Sequence, residues 1–420
     1  MSISTKVLLR KFCKYVYYAG AGNCWYEDIH HESIVYKLYS FISFAIYTMM
    51  IYLENVAAAF GSFPAVEKNS AVMFAAIHNI VLTKMFLLLY HKDSIKKLNR
   101  EMATVGENFE EEKVMKKQYW KVKYGVLIYV VSVYLSLIAY GVESTRKAIV
   151  EGAPFYTVVT YFPYYEDTSM IAAVFRVFFY LTWLYMMLPM MSADCMPITF
   201  LICITFKFIT LRRHFEKIRE KFDKDMLTID KKDAAENLRS GCLEGILMHQ
   251  KLMFLADEIN RVFGIIMSLQ VCESSAVAVL LLLRLALSPH LDLTNAFMTY
   301  TFVSSLFILL ALNLWNAGEI TYQASLLSHA VFYCGWHLCE PDRRPHRDVR
   351  RLVLIACAQA QKPLVLKAFG IQDLSYSTFV SVSYHYHLKP EDIHFEQRPP
   401  SKNSAMNDKL GSFLEGLLPH

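Results

Sequence analysis

Long uncharged apolar stretches recur along this chain and restrict its fold more than any other feature. Crossing about 30 Å of hydrocarbon takes roughly 20 helical residues, with every backbone donor and acceptor satisfied inside the segment. Runs of this kind lie near residues 35 to 58, 71 to 90, 124 to 141, 169 to 206, 262 to 287, 296 to 316 and 371 to 388. The residues are 55% apolar and the mean hydropathy is +0.27, above the usual soluble domain. A large buried core would also raise both values, so it is the length of the uncharged runs that points to an all-α membrane protein with seven spans.

The fourth run is too long for one perpendicular crossing and contains Pro189 and Pro197. Each proline removes a backbone donor, which predicts one tilted, kinked helix continuing past the membrane, with two short spans as the rival reading. Orientation follows from where lysine and arginine fall. The arm before the first span and the loops after spans two, four and six hold 32 of them, whereas the opposite side holds seven. Positive residues favour the cytoplasm, so the N-terminus is expected inside and the C-terminus outside. Lys37, Lys84, Arg176 and Arg284 remain within or near spans, where long side chains reach toward the interface.

This arrangement is the reverse of a G-protein-coupled receptor, and neither an Asp-Arg-Tyr nor an Asn-Pro-x-x-Tyr motif is present. A transporter would call for paired broken helices in symmetry-related halves, and only the fourth span is broken by proline. No Walker loop, zinc helix, nucleophile elbow or dinucleotide fingerprint occurs, so no enzyme, cofactor, metal or nucleic-acid function is expected. None of the nine cysteines falls in an outward loop, which predicts reduced thiols. Residues 1–34 read as a cytoplasmic arm without a cleaved signal. Residues 35–388 read as the seven-helix unit, with cytoplasmic helical extensions at 207–261 and 317–370. Apolar residues recur at three- and four-residue spacing through Leu238, Leu243, Ile246, Leu247 and Met253. Residues 389–420 read as a polar, disordered extracellular tail.

The most specific pattern begins at Gly318-Glu319-Ile320 and continues through Ser325, Leu327, Ala330, Tyr333 and Trp336. It resembles the end of the sixth helix of insect odorant receptors. A second block, Gln361-Lys362-Pro363, Ala368, Gly370, Leu374, Ser375 and Phe379, is similar to that family's seventh-helix region in order and spacing. Trp25, Lys84, Asp194 and His249-Gln250 agree more weakly. Two departures stand out: Val380 leads to Ser383-Tyr384-His385-Tyr386-His387 and then a polar tail, and Tyr26 stands where a proline commonly follows the tryptophan. A gustatory receptor, the sister channel family, would carry a Thr-Tyr pair and a later Gln-Phe, which Leu374 to Phe379 does not match.

The resemblance implies the odorant-receptor channel fold: four subunits around a pore, placed in the plasma membrane of an olfactory sensory neuron. It implies a volatile, mostly apolar ligand and a non-selective current of permeating cations. The long insertion of the co-receptor is missing between helices four and five, which implies a tuning subunit that assembles with co-receptor subunits as a heterotetramer. It also implies a ligand site among helices two to six, at Phe74, His78, Ser132, Ser136, Tyr140, Phe178, Thr182, Met186, Tyr300 and Val303. Ser132, Ser136 and Tyr140 share a helical face, as do Phe178, Thr182 and Met186. Ordinary packing between helices accounts for each residue taken singly just as well, and a histidine such as His78 more often bonds a neighbouring helix than a ligand.

Glu273 lies mid-span and must be protonated, paired or facing water. Arg176 is one candidate partner, whereas Arg284 is about 16 Å along the same helix. The resemblance implies that the outer part of helix seven lines the pore, where Ser377, Ser381 and His385 lie on one helical stripe with Leu374, Thr378 and Val382 beside it, a wall of hydroxyls with an apolar constriction. The atypical end of this helix leaves open a variant that binds odor but lines the pore poorly. The charge distribution makes a direct prediction. An epitope fused to the N-terminus is expected to be reached by antibody only after cells are permeabilised, and labelling of intact cells would reverse the orientation.

Overall fold

The structure is a computed structural model that describes residues 3–27, 32–287, 293–339, 344–378 and 380–381. Nine α-helices make up about four fifths of the described residues. They are α1 (Thr5–Tyr18), α2 (Ile34–Phe60), α3 (Ala65–Tyr90), α4 (Lys92–Thr104), α5 (Glu112–Val150), α6 (Met170–Thr228), α7 (Lys231–Leu287), α8 (Leu293–Phe332) and α9 (Arg344–Ala360). Among the described residues, α2, α3, α5, α6 and α8 contain segments long and apolar enough to cross a membrane. The chain is a multi-pass membrane protein, and α7 covers the fifth apolar run of the sequence as helix. The last run begins with a two-residue strand, and its helix starts at Tyr376; Val382 and everything after it lie outside the described residues.

Helix α6 organises the molecule. It is one uninterrupted helix of 59 residues through Pro189 and Pro197, so the reading as two short spans does not describe it. At 1.5 Å per residue it is about 90 Å long, roughly three times the hydrocarbon thickness. From Ala193 to Phe206 every residue is buried. A helix that is buried on all sides belongs at the centre, and α6 touches α1, α2, α3, α5, α7 and α8.

The peripheral helices have a different character. On α5 the side chains of Leu127, Val131, Leu135, Ile138 and Val142 are all exposed, at spacings of three and four residues. Phe178 and Leu181 on α6 continue the same kind of outward apolar surface. Water would penalise a surface of that extent, whereas lipid solvates it. By contrast α1 and α4 are amphipathic. Leu8, Leu9, Phe12 and Val16 face inward on α1, and Ile95, Leu98 and Met102 do so on α4. The two helices pack on one another, and Asn99 of α4 donates to the Cys24 carbonyl oxygen at 2.8 Å.

The end of the molecule formed by α1, α4, α9 and the flanks of α6, α7 and α8 is tied by ion pairs. Lys207, fully buried on α6, donates to the Val105 carbonyl oxygen at 2.5 Å and to Glu110 at 2.7 Å. Glu111 accepts from Lys217 at 2.7 Å and from Arg213, and these bonds hold its carboxyl below the ordinary glutamate range. All nine cysteines are free, and burial pushes the Cys24 thiol up to about 12, which keeps it protonated and inert.

Capping residues set several helix ends. Ser33 and Ser169 accept from the backbone N–H three residues on and start α2 and α6. In the turn that follows α8, Gly335 has a φ of +108°, a conformation that L side chains rarely adopt. A Cβ there would also come within 2.8 Å of the Phe222 ring. Gly335→Ala is therefore expected to destabilise this end of the protein by about 1–3 kcal/mol. Thermal unfolding in detergent would show it, and an unchanged midpoint would mean that the turn can relax.

Candidate functional site

Where α3, α5, α6, α7 and α8 converge they enclose a small interior cavity. Helix α3 contributes Phe74, Ile77, His78 and Val81, and α5 contributes Tyr129, Val133, Ser136 and Leu137. The wall is completed by Trp183, Met187 and Met190 from α6, Glu273 from α7, and Phe302, Ser305 and Leu306 from α8. Phe74 is the hub of its aromatic lining. Trp183 meets it edge-on at 5.7 Å, Tyr140 at 5.9 Å and Phe302 at 6.0 Å, with His78 stacked at 5.9 Å. Offset and edge-on pairs of this kind are the favoured aromatic geometries. The cavity volume is about 40 Å³, little more than one water molecule requires.

The polar groups around this lining are mostly engaged with the protein. His78 Nδ1 lies 2.6 Å from a carboxylate oxygen of Glu54 on α2, and both residues are buried. Lys84, one helical turn beyond Val81, is also fully buried. Its ammonium donates to Asp194 on α6 at 3.2 Å, to Glu273 on α7 at 2.5 Å and to Gln270. Tyr129 of α5 donates to the other oxygen of Asp194 at 2.7 Å. One cation, two carboxylates, a carboxamide and a phenol thus join four helices. Two members of this cluster, Tyr129 and Glu273, are also part of the cavity wall. Two polar atoms of the wall have no partner, Ser136 Oγ and Trp183 Nε1.

This geometry changes two expectations from the sequence. Lys84 does not reach toward an interface; it is the buried partner of Glu273. Arg176 instead donates to the Tyr156 hydroxyl and to the Tyr164 carbonyl oxygen, each at 2.8 Å, and thereby fastens the segment between α5 and α6. The sequence left Glu273 protonated, paired or facing water and offered Arg176 as a candidate partner; Lys84 of α3 takes that place.

Of the residues that the resemblance pointed to, Phe74, His78 and Ser136 line the cavity, and Tyr140 touches its rim through Phe74, Trp183 and Phe302. Ser132 is half-buried and donates to the Tyr129 carbonyl oxygen, and Met186 is buried outside the cavity wall. Thr182 and Val303 are half-buried away from it, while Phe178 and Tyr300 are exposed on the outer surface. Trp183, Met187 and Met190 occupy a face rotated by one residue from Phe178, Thr182 and Met186, and Phe302, Ser305 and Leu306 sit likewise beside Tyr300 and Val303. Each missed set keeps helical spacing, which was the available signal. A lipid-facing and a cavity-facing stripe are both apolar, so spacing alone does not choose between them.

Toward the end of the described chain, Leu374 is buried, Ser377 and Ser381 are exposed and Thr378 is half-buried. Val382 and His385 lie outside the described residues. Tyr376 lies flat over Gly318, where a Cβ would stand 3.0 Å from the ring, and its hydroxyl donates to Glu319 at 2.6 Å. The two sequence blocks thus meet in space. A larger groove of about 780 Å³ lies between α2 and α3 and is lined by Tyr36, Phe41, Phe44 and Phe86. It is apart from the interior cavity. Among the described residues no group of three or more histidine, cysteine or acidic side chains is placed to hold a metal ion.

Removing the central cation should be costly, because two carboxylates would remain buried without it. Lys84→Met is expected to destabilise the protein by about 3–5 kcal/mol and to lower its surface expression sharply. A variant that melts like the parent would show that Asp194 and Glu273 need no cation.

A family model described as 7tm Odorant receptor matches residues 65–384. The fold is similar to that of the insect olfactory receptor OR5 from Machilis hrabei, solved in complex with eugenol. The TM-score is 0.74 at 13% identity, and the match covers 91% of this chain and 97% of that one. A second structure of the same receptor gives a TM-score of 0.73 at the same identity and coverage. No curated protein sequence matches this chain.

Proposed function

Because this chain belongs to the 7tm odorant receptor family, we propose that it is a tuning subunit that binds a small volatile molecule in the interior cavity. Binding gates a non-selective cation channel formed with co-receptor subunits. The observation that carries this reading is the interior, aromatic-lined cavity on Phe74, His78, Ser136 and Trp183, with Tyr140 at its rim. Small-molecule sites are concave, mostly apolar and supplied with a few polar groups, and this cavity has that character. A structure of OR5 in complex with eugenol supports the view that this fold can hold a small aromatic molecule.

At about 40 Å³ the cavity is far smaller than the roughly 300 Å³ that larger ligands occupy, so entry requires side chains to move. Met187 and Met190 suit that role, since an unbranched thioether changes rotamer at little cost. Expansion presses on Tyr129 and Glu273, and through them on the Lys84 cluster that ties four helices together. In this reading the chain spans the plasma membrane of an olfactory neuron seven times, with its N-terminus in the cytoplasm. Ser377, Thr378 and Ser381, followed by Val382 and His385, supply its share of the pore wall, while Leu374, buried within the chain, packs behind them.

Whole-cell recording tests the proposal. Cells expressing this chain with a co-receptor are expected to give odor-evoked cation currents across a broad panel, and cells expressing this chain alone none. Phe74→Ala should raise the half-maximal odor concentration by about tenfold or more, as loss of a buried aromatic anchor does. Silence in every combination would leave the receptor reading without support.

A further inference from the structure

Two buried polar atoms in the cavity wall have nothing to bond. Trp183 Nε1 and Ser136 Oγ lack hydrogen-bond partners, their side chains are among the most buried in the protein, and both residues line the cavity. Buried polar groups are bonded in the large majority of cases, and an unbonded one is a standing cost. Two of them in one wall ask for a common partner.

Their neighbours do not supply it. The Tyr129 hydroxyl gives its hydrogen to Asp194, the Ser305 hydroxyl to the Phe302 carbonyl oxygen, His78 Nδ1 faces Glu54, and no acceptor among the described residues lies within hydrogen-bond reach of Trp183 Nε1. Trp183 is also braced. Its ring stands edge-on to Phe74 at 5.7 Å and to His78 at 5.8 Å, so rotating the indole to find another acceptor would undo the aromatic lining. An indole N–H can only donate, whereas a serine hydroxyl both donates and accepts. The missing partner must therefore carry an acceptor for Trp183, and a group that is acceptor and donor at once satisfies both atoms.

We infer that the cavity selects compact volatiles carrying one oxygen, such as an alcohol, phenol, ketone or aldehyde, and discriminates against hydrocarbons of the same shape. The inference rests on the odor-binding reading above. The oxygen accepts from Trp183 and shares a hydrogen bond with Ser136, while the carbon skeleton lies against Phe74, Phe302 and Met187. A hydrocarbon fits the apolar wall equally well but leaves both polar atoms buried and unpaired. Sites built to hydrogen-bond a ligand reject analogues that lack the bonding group far more strongly than apolar pockets reject an extra one.

Carbon-matched pairs separate the two cases. Dose–response currents would be recorded from the full chain with a co-receptor, using acetophenone against ethylbenzene, benzyl alcohol against toluene, and cyclohexanone against cyclohexane. The oxygenated member of a pair is expected to act at about ten- to hundredfold lower concentration. Trp183→Phe keeps the ring and removes the donor, and should close most of that gap for ketone and alcohol alike. Ser136→Ala should narrow the gap more for benzyl alcohol, which loses an acceptor, than for the ketones. Equal potency within the pairs in the unmutated chain overturns the inference while leaving the receptor reading intact. So does a gap that persists undiminished in Trp183→Phe protein shown by surface labelling to reach the membrane. If that variant fails to reach the surface, the unmutated pairs and Ser136→Ala decide by the same criterion. Absence of current with every compound in all pairs counts against the odor-binding reading itself, and this inference falls with it.

Discussion

The ammonium group of Lys84 is the constraint on which the arrangement of the bundle depends. It lies where water does not reach, and a lone charge there would be prohibitive, so its surroundings are fixed by what it requires. Asp194, Glu273 and Gln270 meet that requirement from two other helices, and Tyr129 closes the remaining side of Asp194 from a fourth. Apolar packing between lipid-solvated helices has weak directionality, because lipid tails are as apolar as leucine. A set of charge-assisted bonds does not share that tolerance. The register of α3, α5, α6 and α7 at this level is consequently set by five polar side chains, and the aromatic cavity beside them takes its shape from that register.

The sequence made some of this legible and left some of it hidden, for reasons that differ by element. Apolar runs and their spacing identify α2, α3, α5, α6 and α8, because length and lack of charge are properties of a segment considered alone. The continuity of α6 through Pro189 and Pro197 was legible as one long helix, whereas its central position was not. Nor were partners. Whether Glu273 faces Lys84 or Arg176 depends on how two helices are rotated, and rotation is encoded in a contrast between faces that an apolar span in lipid barely shows. For the same reason Phe74, His78 and Ser136 fall on the cavity wall, while Phe178 and Tyr300, equally aromatic and equally spaced, face outward. The helices with sharp polar contrast, α1 and α4, are those whose inward faces can be read from sequence with ease.

The meeting of the two sequence blocks has a mechanical consequence. Gly318 is small enough for Tyr376 to lie against it, and Glu319 holds the phenol, so the first turn of the last helix is clasped to α8. Helix α8 also places Phe302, Ser305 and Leu306 on the cavity wall. About 20 Å of continuous helix separates Leu306 from Glu319. A rod of that length carries a tilt imposed at one end to the other, with the displacement set by where it pivots. The glycine therefore does more than relieve crowding: it lets one helix carry part of the cavity wall at one end and seat the Tyr376 ring at the other, so that the two are parts of a single lever.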